Sequence, residues 1–226
     1  MPCHGAYFLK HLPLFPDHDT FMGIPLFTEI TGMILKAEPI GEYDRRVVIL
    51  TKEKGKISAF AKGARKQNSR LLAATNPFSF GCFKLYVGRS SYNLIDAEIS
   101  NYFEGLRFDF EGAYYGMYFL EIADYYTREN NDDKELLKLL YQSLRALMHE
   151  KLPNRLVRYI FEMKAMVLSG EFPGMPEDTV YEESVRYAVH YIMTSSVEKL
   201  YTFTVTDNVL AQLKEIADDY RMRYMD

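Results

Sequence analysis

The sequence predicts an α+β protein in which an N-terminal five-stranded barrel of the OB type precedes an all-helical domain. Three observations lead there. Between Ile30 and Ser100, short runs rich in β-branched and aromatic residues alternate with turn-forming residues. After Asn101 the apolar residues recur at three- and four-residue spacing instead. Charge changes sign at the same place: residues 28–103 hold twelve Lys and Arg against seven Asp and Glu, whereas residues 104–226 hold fourteen against twenty-two.

Residues 1–27 carry Pro2, Pro13, Pro16 and Pro25 without a sustained period and are expected to form a loose or peripheral extension, with Met22 an alternative start. His4, His11 and His18 recur every seven residues near Cys3, but that spacing matches no common zinc pattern and the prolines keep one helix from presenting all three. Five strand-like segments follow, ITGMILKAEPI, RRVVILT, KISAFAK, PFSFGCFKLYV and YNLIDAEIS, separated by GEYD, KEKG, a basic loop and GRSS. Together they define a barrel domain over residues 28–103. Helices are expected in FEGAYYGMYFLEIADYY, KELLKLLYQSLRALMHE, LVRYIFEMKAMVLSG, YEESVRYAVHYIM and TDNVLAQLKEIADDYRMRYM, within a domain over residues 104–226 that Gly170, Pro173 and Pro176 break in the middle.

Composition narrows the function. Cys3 and Cys82 are the only cysteines, so no disulfide framework is expected and a cytoplasmic setting follows. The longest apolar runs fall below the roughly 18 residues of a membrane span, and Lys10, His11, Pro13 and Pro16 interrupt any signal-like core. There is no Walker-type glycine loop, no His-Glu-x-x-His and no cysteine pair; Asp132 with Asp133, and Asp218 with Asp219, imitate metal dyads but fall in loop or helix-end settings. A binding protein without cofactor or bound metal is expected, not an enzyme.

The segment KGKISAFAKGARKQNSRL carries Lys54, Lys56, Lys62, Arg65, Lys66 and Arg70 without one acid, in a chain of formal net charge −4. Strand alternation places Lys56, Ser58, Phe60 and Lys62 on one side of the third strand, and Phe78, Phe80, Cys82, Lys84 and Tyr86 on one side of the fourth. Cations interleaved with rings suit single-stranded nucleic acid, because the cations neutralise phosphates while the rings stack on bases. Core packing is the competing role for Phe60, Phe78 and Phe80 taken singly. A general RNA-binding module and a helical scaffold that recruits proteins are the alternative functions.

The GE-x-DR, T-x-x-x-GK and AKGAR-x-x-x-SR elements of GEYDRRVVILTKEKGKISAFAKGARKQNSRL, followed by NPFSFGCFKLYVGRSSYNLIDAEI, resemble the N-terminal domain of the bacterial recombination protein RecO family. RYIFEMKAMVLSGEFP and the C-terminal EKLYTFTV to YRMRYMD are similar to its helical part. The resemblance implies a nucleoid-associated DNA repair and recombination mediator. Such a protein binds single- and double-stranded DNA, anneals strands coated with single-stranded-DNA-binding protein, and helps RecR load RecA. It assigns Arg45 of the DR element, with Lys62 and Arg65 of AKGAR, to DNA; Arg46, Lys54, Lys56, Lys66, Arg70, Lys84 and Arg89 complete the candidate set. It also implies capture of the acidic, hydrophobic tail of single-stranded-DNA-binding protein, for which Arg155, Arg158, Phe161 and Lys164 are the candidates.

Many members of that family carry two cysteine pairs in the helical domain, each supplying thiolates to one zinc. Here the corresponding interval, GEFPGMPEDTVYEES, holds no Cys or His. Elemental analysis of untagged protein should find substoichiometric zinc, and a chelator should leave the melting temperature unmoved; one zinc per chain would overturn this expectation.

Overall fold

A computed structural model describes residues 27–176 and 180–224. The expected N-terminal extension, with its three histidines and Cys3, lies outside the described residues apart from Phe27. Strands β1 (Phe27–Ile40), β2 (Asp44–Thr51), β3 (Gly55–Ala61), β4 (Phe80–Val87) and β5 (Tyr92–Asn101) form a closed barrel in the order β1-β2-β3-β5-β4. Only the β3–β5 pair is parallel. A single-turn helix, α1 (Leu71–Ala74), connects β3 to β4. Five longer helices follow: α2 (Phe110–Tyr126), α3 (Lys134–Leu147), α4 (Asn154–Leu168), α5 (Glu183–Thr194) and α6 (Asp207–Tyr224).

The barrel interior is filled by residues at strand alternation, among them Ile30, Ile34, Val47, Ile49, Ile57, Ala59, Phe83 and Leu85. A β-bulge between Ile34 and Lys36 shifts the phase of β1, so that Ala37 rather than Lys36 turns inward. Met33 and Leu35, alternating with the inward Ile34, and Leu50 across from Met33 bury on the outside of the barrel, within the core that α2, α3 and α4 form. Burying each such side chain stabilises the junction by about 2 kcal/mol, so this wall of the barrel needs its helical cover. Phe78 and Phe80, expected beside cations on an outer face, belong to the same junction. Phe78 has φ +73° and precedes β4, its ring lies over Gly116, and Phe80 packs 4.7 Å from Tyr141.

Main-chain bonds lock the β2–β3 turn onto the connection after α2. The Lys56 N–H donates to Arg128 O (3.0 Å) and the Asn130 N–H donates to Lys54 O (2.9 Å). Gly55 sits between them at φ +64°, where a Cβ would stand 2.3 Å from Arg128 O, so only glycine fits. Alongside, Asp124 of α2 accepts from Lys36 Nζ (2.7 Å) and Lys56 Nζ (2.8 Å), joining β1 and β3 to the helices. Burial pushes the Asp124 carboxyl up, but the two lysine bonds outweigh it and hold it below its usual range.

The helical core centres on α4. Phe161 is fully buried and stacks on Phe119 at 4.1 Å, and the buried Glu162 accepts from Tyr118 Oη (2.5 Å) and Arg158 Nε (2.9 Å). Arg158 also donates from Nη2 to Asp218 Oδ1 (2.9 Å). Lys164 Nζ donates to the carbonyls of Met193 (2.9 Å) and Ser195 (2.8 Å) at the end of α5. In the cysteine-free connection before α5, the Tyr220 hydroxyl donates to Gly174 O (2.9 Å) and its ring meets Phe172 edge-on at 5.2 Å. Val185 then buries fully in the same core.

Asp124→Asn keeps an acceptor and removes the charge, and should cost about 1–2 kcal/mol at pH 7 in denaturant unfolding. Because the folded carboxyl titrates below its unfolded value, the charge contributes fully above about pH 4 and is lost as pH falls through the folded value. The gap between wild type and variant should close in that window. A gap that stays constant from pH 7 to pH 3 would rule out the two ion pairs as its source.

Candidate nucleic-acid interface

The β1–β2 turn and the β3–α1 loop form one end of the barrel. Asp44 Oδ1 accepts the Gly63 N–H (2.7 Å), and Gly63 takes φ +67°, a conformation that costs other residues about 1 kcal/mol. The Arg65 N–H donates to Tyr43 O (2.8 Å), its Nη1 to Gly41 O (3.2 Å), and Ala64 is fully buried beneath them. Arg45 Nη1 donates to Leu72 O (3.1 Å), Thr75 Oγ1 (2.7 Å) and Asn76 Oδ1 (2.9 Å), fastening α1 under the loop. Burial, and then the neighbouring Arg65, push the Arg45 guanidinium down. On this base Lys62, Arg65, Lys66 and Arg70 all stand exposed, Lys66 Nζ lying 5.7 Å over the Tyr43 ring.

Beside the loop, a cleft of about 570 Å³ is lined by Arg46, Ser58, Phe60, Arg89, Tyr92 and Glu129. Arg46 pairs across the strands with Phe60, and its Nε donates to Ser58 Oγ (2.9 Å). Phe60 keeps 39% of its surface exposed beside the two arginines, the arrangement in which a ring stacks on a base while cations neutralise its phosphates. Tyr92 Oη donates to Glu129 Oε1 (3.1 Å); burial and this carboxylate push the phenol up, so it remains a neutral donor.

The ten candidate DNA contacts thus separate. Arg46, Lys62, Arg65, Lys66, Arg70 and Arg89 are exposed around this end of the barrel and its cleft. Lys84 is exposed on the outer wall of β4, over Phe27 at 5.7 Å and outside the cleft. Arg45 and Lys56 are engaged in bonds within the protein, and Lys54 is half-buried in the turn that docks on the helices. Among the tail candidates Phe161 and Lys164 are buried and Arg158 is paired, because α4 runs through the middle of the core; Arg155 alone of the four is exposed. Sequence reasoning placed Ser58 on the same strand face as Phe60 but missed Tyr43, Tyr92 and Glu129 as contributors. Tyr43 and Tyr92 sit in and beside the turn signals GEYD and GRSS, a usable hint, whereas Glu129 reaches the cleft only through the docking of the helices.

Two family descriptions match the chain: Recombination protein O N terminal over residues 26–103 and Recombination protein O C terminal over residues 107–180. The chain is 38% identical over 144 residues to the DNA repair protein RecO of Alkaliphilus metalliredigens, covering 64% of this chain and 58% of that relative. It is 27% identical over 227 residues to that of Acetivibrio thermocellus (86% and 90%), and 28% identical over 183 residues to that of Bacillus subtilis (81% and 66%).

Asp44→Ala separates scaffolding from charge. Simple electrostatics makes loss of an acid beside four cations strengthen phosphate binding, but loss of the Gly63 anchor, worth about 1 kcal/mol, should weaken binding of a single-stranded oligonucleotide about fivefold. Tighter binding in fluorescence anisotropy would refute the anchoring role.

Proposed function

The chain belongs to the RecO family of DNA repair proteins, and on that premise we propose that it is a DNA-binding recombination mediator. It holds single- and double-stranded DNA, anneals complementary strands, and with RecR assists the loading of RecA. One observation carries this reading: four exposed cations, Lys62, Arg65, Lys66 and Arg70, stand on a loop fixed from beneath and lead into a cleft with Arg46, Phe60 and Arg89. The loop follows phosphates while Phe60 offers a face to one base at a time, an arrangement tolerant of sequence. Strands held by the backbone, with base edges left outward, are ready to pair with a complement. The acidic helical region limits indiscriminate adhesion to nucleic acid and favours a nucleoid-associated, cytoplasmic protein.

The role is binding rather than bond-making. Asp218 is taken by Arg158 and Lys214, Asp219 by Arg223, and Asp132 by Lys134, so these carboxylates already have cationic partners. No described helix is long and apolar enough to cross a membrane.

For the acidic tail of single-stranded-DNA-binding protein, the pocket of about 240 Å³ formed by Tyr118, Glu121, Ile122, Tyr125 and Arg221 suits better than the surroundings of Arg155, Arg158, Phe161 and Lys164. Arg221 Nε is buried there without a hydrogen-bond partner, a cationic donor beside Tyr118, Ile122 and Tyr125, with the exposed Glu121 completing the lining. A tail peptide should bind wild type and Arg155→Glu equally and lose at least fivefold in affinity with Arg221→Gln; the reverse ranking would move the site to the start of α4.

Replacing Lys62, Arg65, Lys66 and Arg70 by Ala should weaken DNA binding across sequences and lower the log–log salt slope by roughly three, about 0.7 to 0.9 for each phosphate contact. Annealing of complementary strands, with and without single-stranded-DNA-binding protein, should fall in parallel. An unchanged slope would assign the four charges to solubility. Equal affinity for RNA and DNA of one sequence, with no annealing, would favour the RNA-module reading.

A further inference from the structure

The segment from Thr202 to Thr206 reads TFTVT and alternates exposed threonines with half-buried Phe203 and Val205, the period-two signature of a strand, yet it belongs to no sheet. Phe203 and Val205 pack on the helical core. Among the described residues, the N–H and carbonyl groups of residues 203–205 have no backbone partner. Alongside runs α5, fastened to the segment at both ends. At one end the Tyr191 ring meets Phe203 edge-on at 5.2 Å and its hydroxyl lies 3.3 Å from Thr202 Oγ1; at the other Asn208 Nδ2 donates to Glu182 Oε1.

Between these two fastenings lies an open slot of about 910 Å³, with Ala188, Val205 and Val209 in its lining. Tyr187, 70% exposed, stacks on Tyr191 at 6.4 Å and forms part of one wall. Glu182 and Glu183 stand exposed beside it; no ion pair among the described residues involves either, Arg186 one turn along α5 included.

We propose that this slot docks an extended, cationic peptide segment of a partner protein, which adds as a strand to Thr202–Val205 and sets Lys or Arg side chains against Glu182 and Glu183. An unpaired extended backbone is a template for strand addition: the main chain supplies affinity and alternate side chains supply specificity. Five extended residues span about 16 Å, enough for two or three side chains to turn into the slot. Apolar side chains or the stems of Lys and Arg lie on the faces of Tyr187 and Tyr191, where a cation gains further attraction from the ring. The same acids repel DNA and acidic tails, so this site is separate from the barrel interface and from the Arg221 pocket. It does not rest on the DNA-binding reading.

The test uses the full chain and fluorescein-labelled octapeptides read by anisotropy: alternating Lys and Val, alternating Glu and Val, and the Lys-Val sequence N-methylated at every second residue. The Lys-Val peptide should bind, the Glu-Val peptide should not, and N-methylation should weaken binding at least tenfold, since it removes the ladder donors and keeps the charge. Glu182→Gln combined with Glu183→Gln should weaken it at least fivefold. Asp96→Asn combined with Glu98→Gln, an equal change of charge on β5, should leave it unmoved. Equal binding of the N-methylated peptide to wild type, or equal weakening by both double variants, would reduce the effect to diffuse attraction and overturn the proposal. So would a dimer in sedimentation velocity that Glu182→Gln with Glu183→Gln dissolves, because the slot would then belong to a second copy of the chain.

Discussion

The docking of the Lys54–Lys56 turn on Arg128 and Asn130 sets the relation between barrel and helices. Main-chain bonds fix direction as well as distance, Gly55 lets the two backbones approach, and Asp124 draws in Lys36 and Lys56 from two strands. The apolar wall of Met33, Leu35 and Leu50 supplies the larger share of the stabilisation, but alone it tolerates sliding. With the turn in place, the outer face of β3 is divided. Its Lys56 end is covered by α2, while Ser58 and Phe60 remain open to the cleft, which Glu129 borders from the same connection.

The motif residues do a different job from the cations they accompany. Asp44, Arg45, Gly63 and Ala64 lie beneath the loop and determine its path, whereas Lys62, Arg65, Lys66 and Arg70 project from it. Four like charges within nine residues repel one another and favour a spread, mobile loop. The Asp44 bond to Gly63, the Arg65 bonds to the β1–β2 turn and the three acceptors of Arg45 oppose that spreading before any phosphate arrives. Preorganisation of this kind lowers the ordering cost of binding.

Inside the helical region a similar distinction holds. Burial pushes the Glu162 carboxyl up, while its bonds to Tyr118 and Arg158 pull the other way. Burial alone would push the Arg158 guanidinium down, yet Glu162 and Asp218 hold it above its usual value. Removing either partner leaves an uncompensated charge in the core, so Arg158 serves the packing of α4 against α2 and α6. Lys164 acts likewise on the last carbonyls of α5.

Sequence alone determined the five strands, the five long helices and the closed barrel, because side-chain period is a local property: two along each strand, three and four along each helix. It also identified the acid-free cation cluster and, through Phe60, one exposed ring. Which cations stay free was decided only by tertiary structure. Lys54, Lys56, Lys62 and Lys66 share one composition signal, and a contact with Asp124, 68 residues further on, separates Lys56 from the last two. Phe78 and Phe80 went to the junction because the outer faces of β1 and β2, covered by the helices, create a second apolar wall that a strand pattern read in isolation does not show. Phe161, Arg158 and Lys164 sit at ordinary amphipathic spacing, but a helix packed on nearly every side has no outer face. Period tells which residues share a face; only the docking of elements distant in sequence tells whether that face meets water.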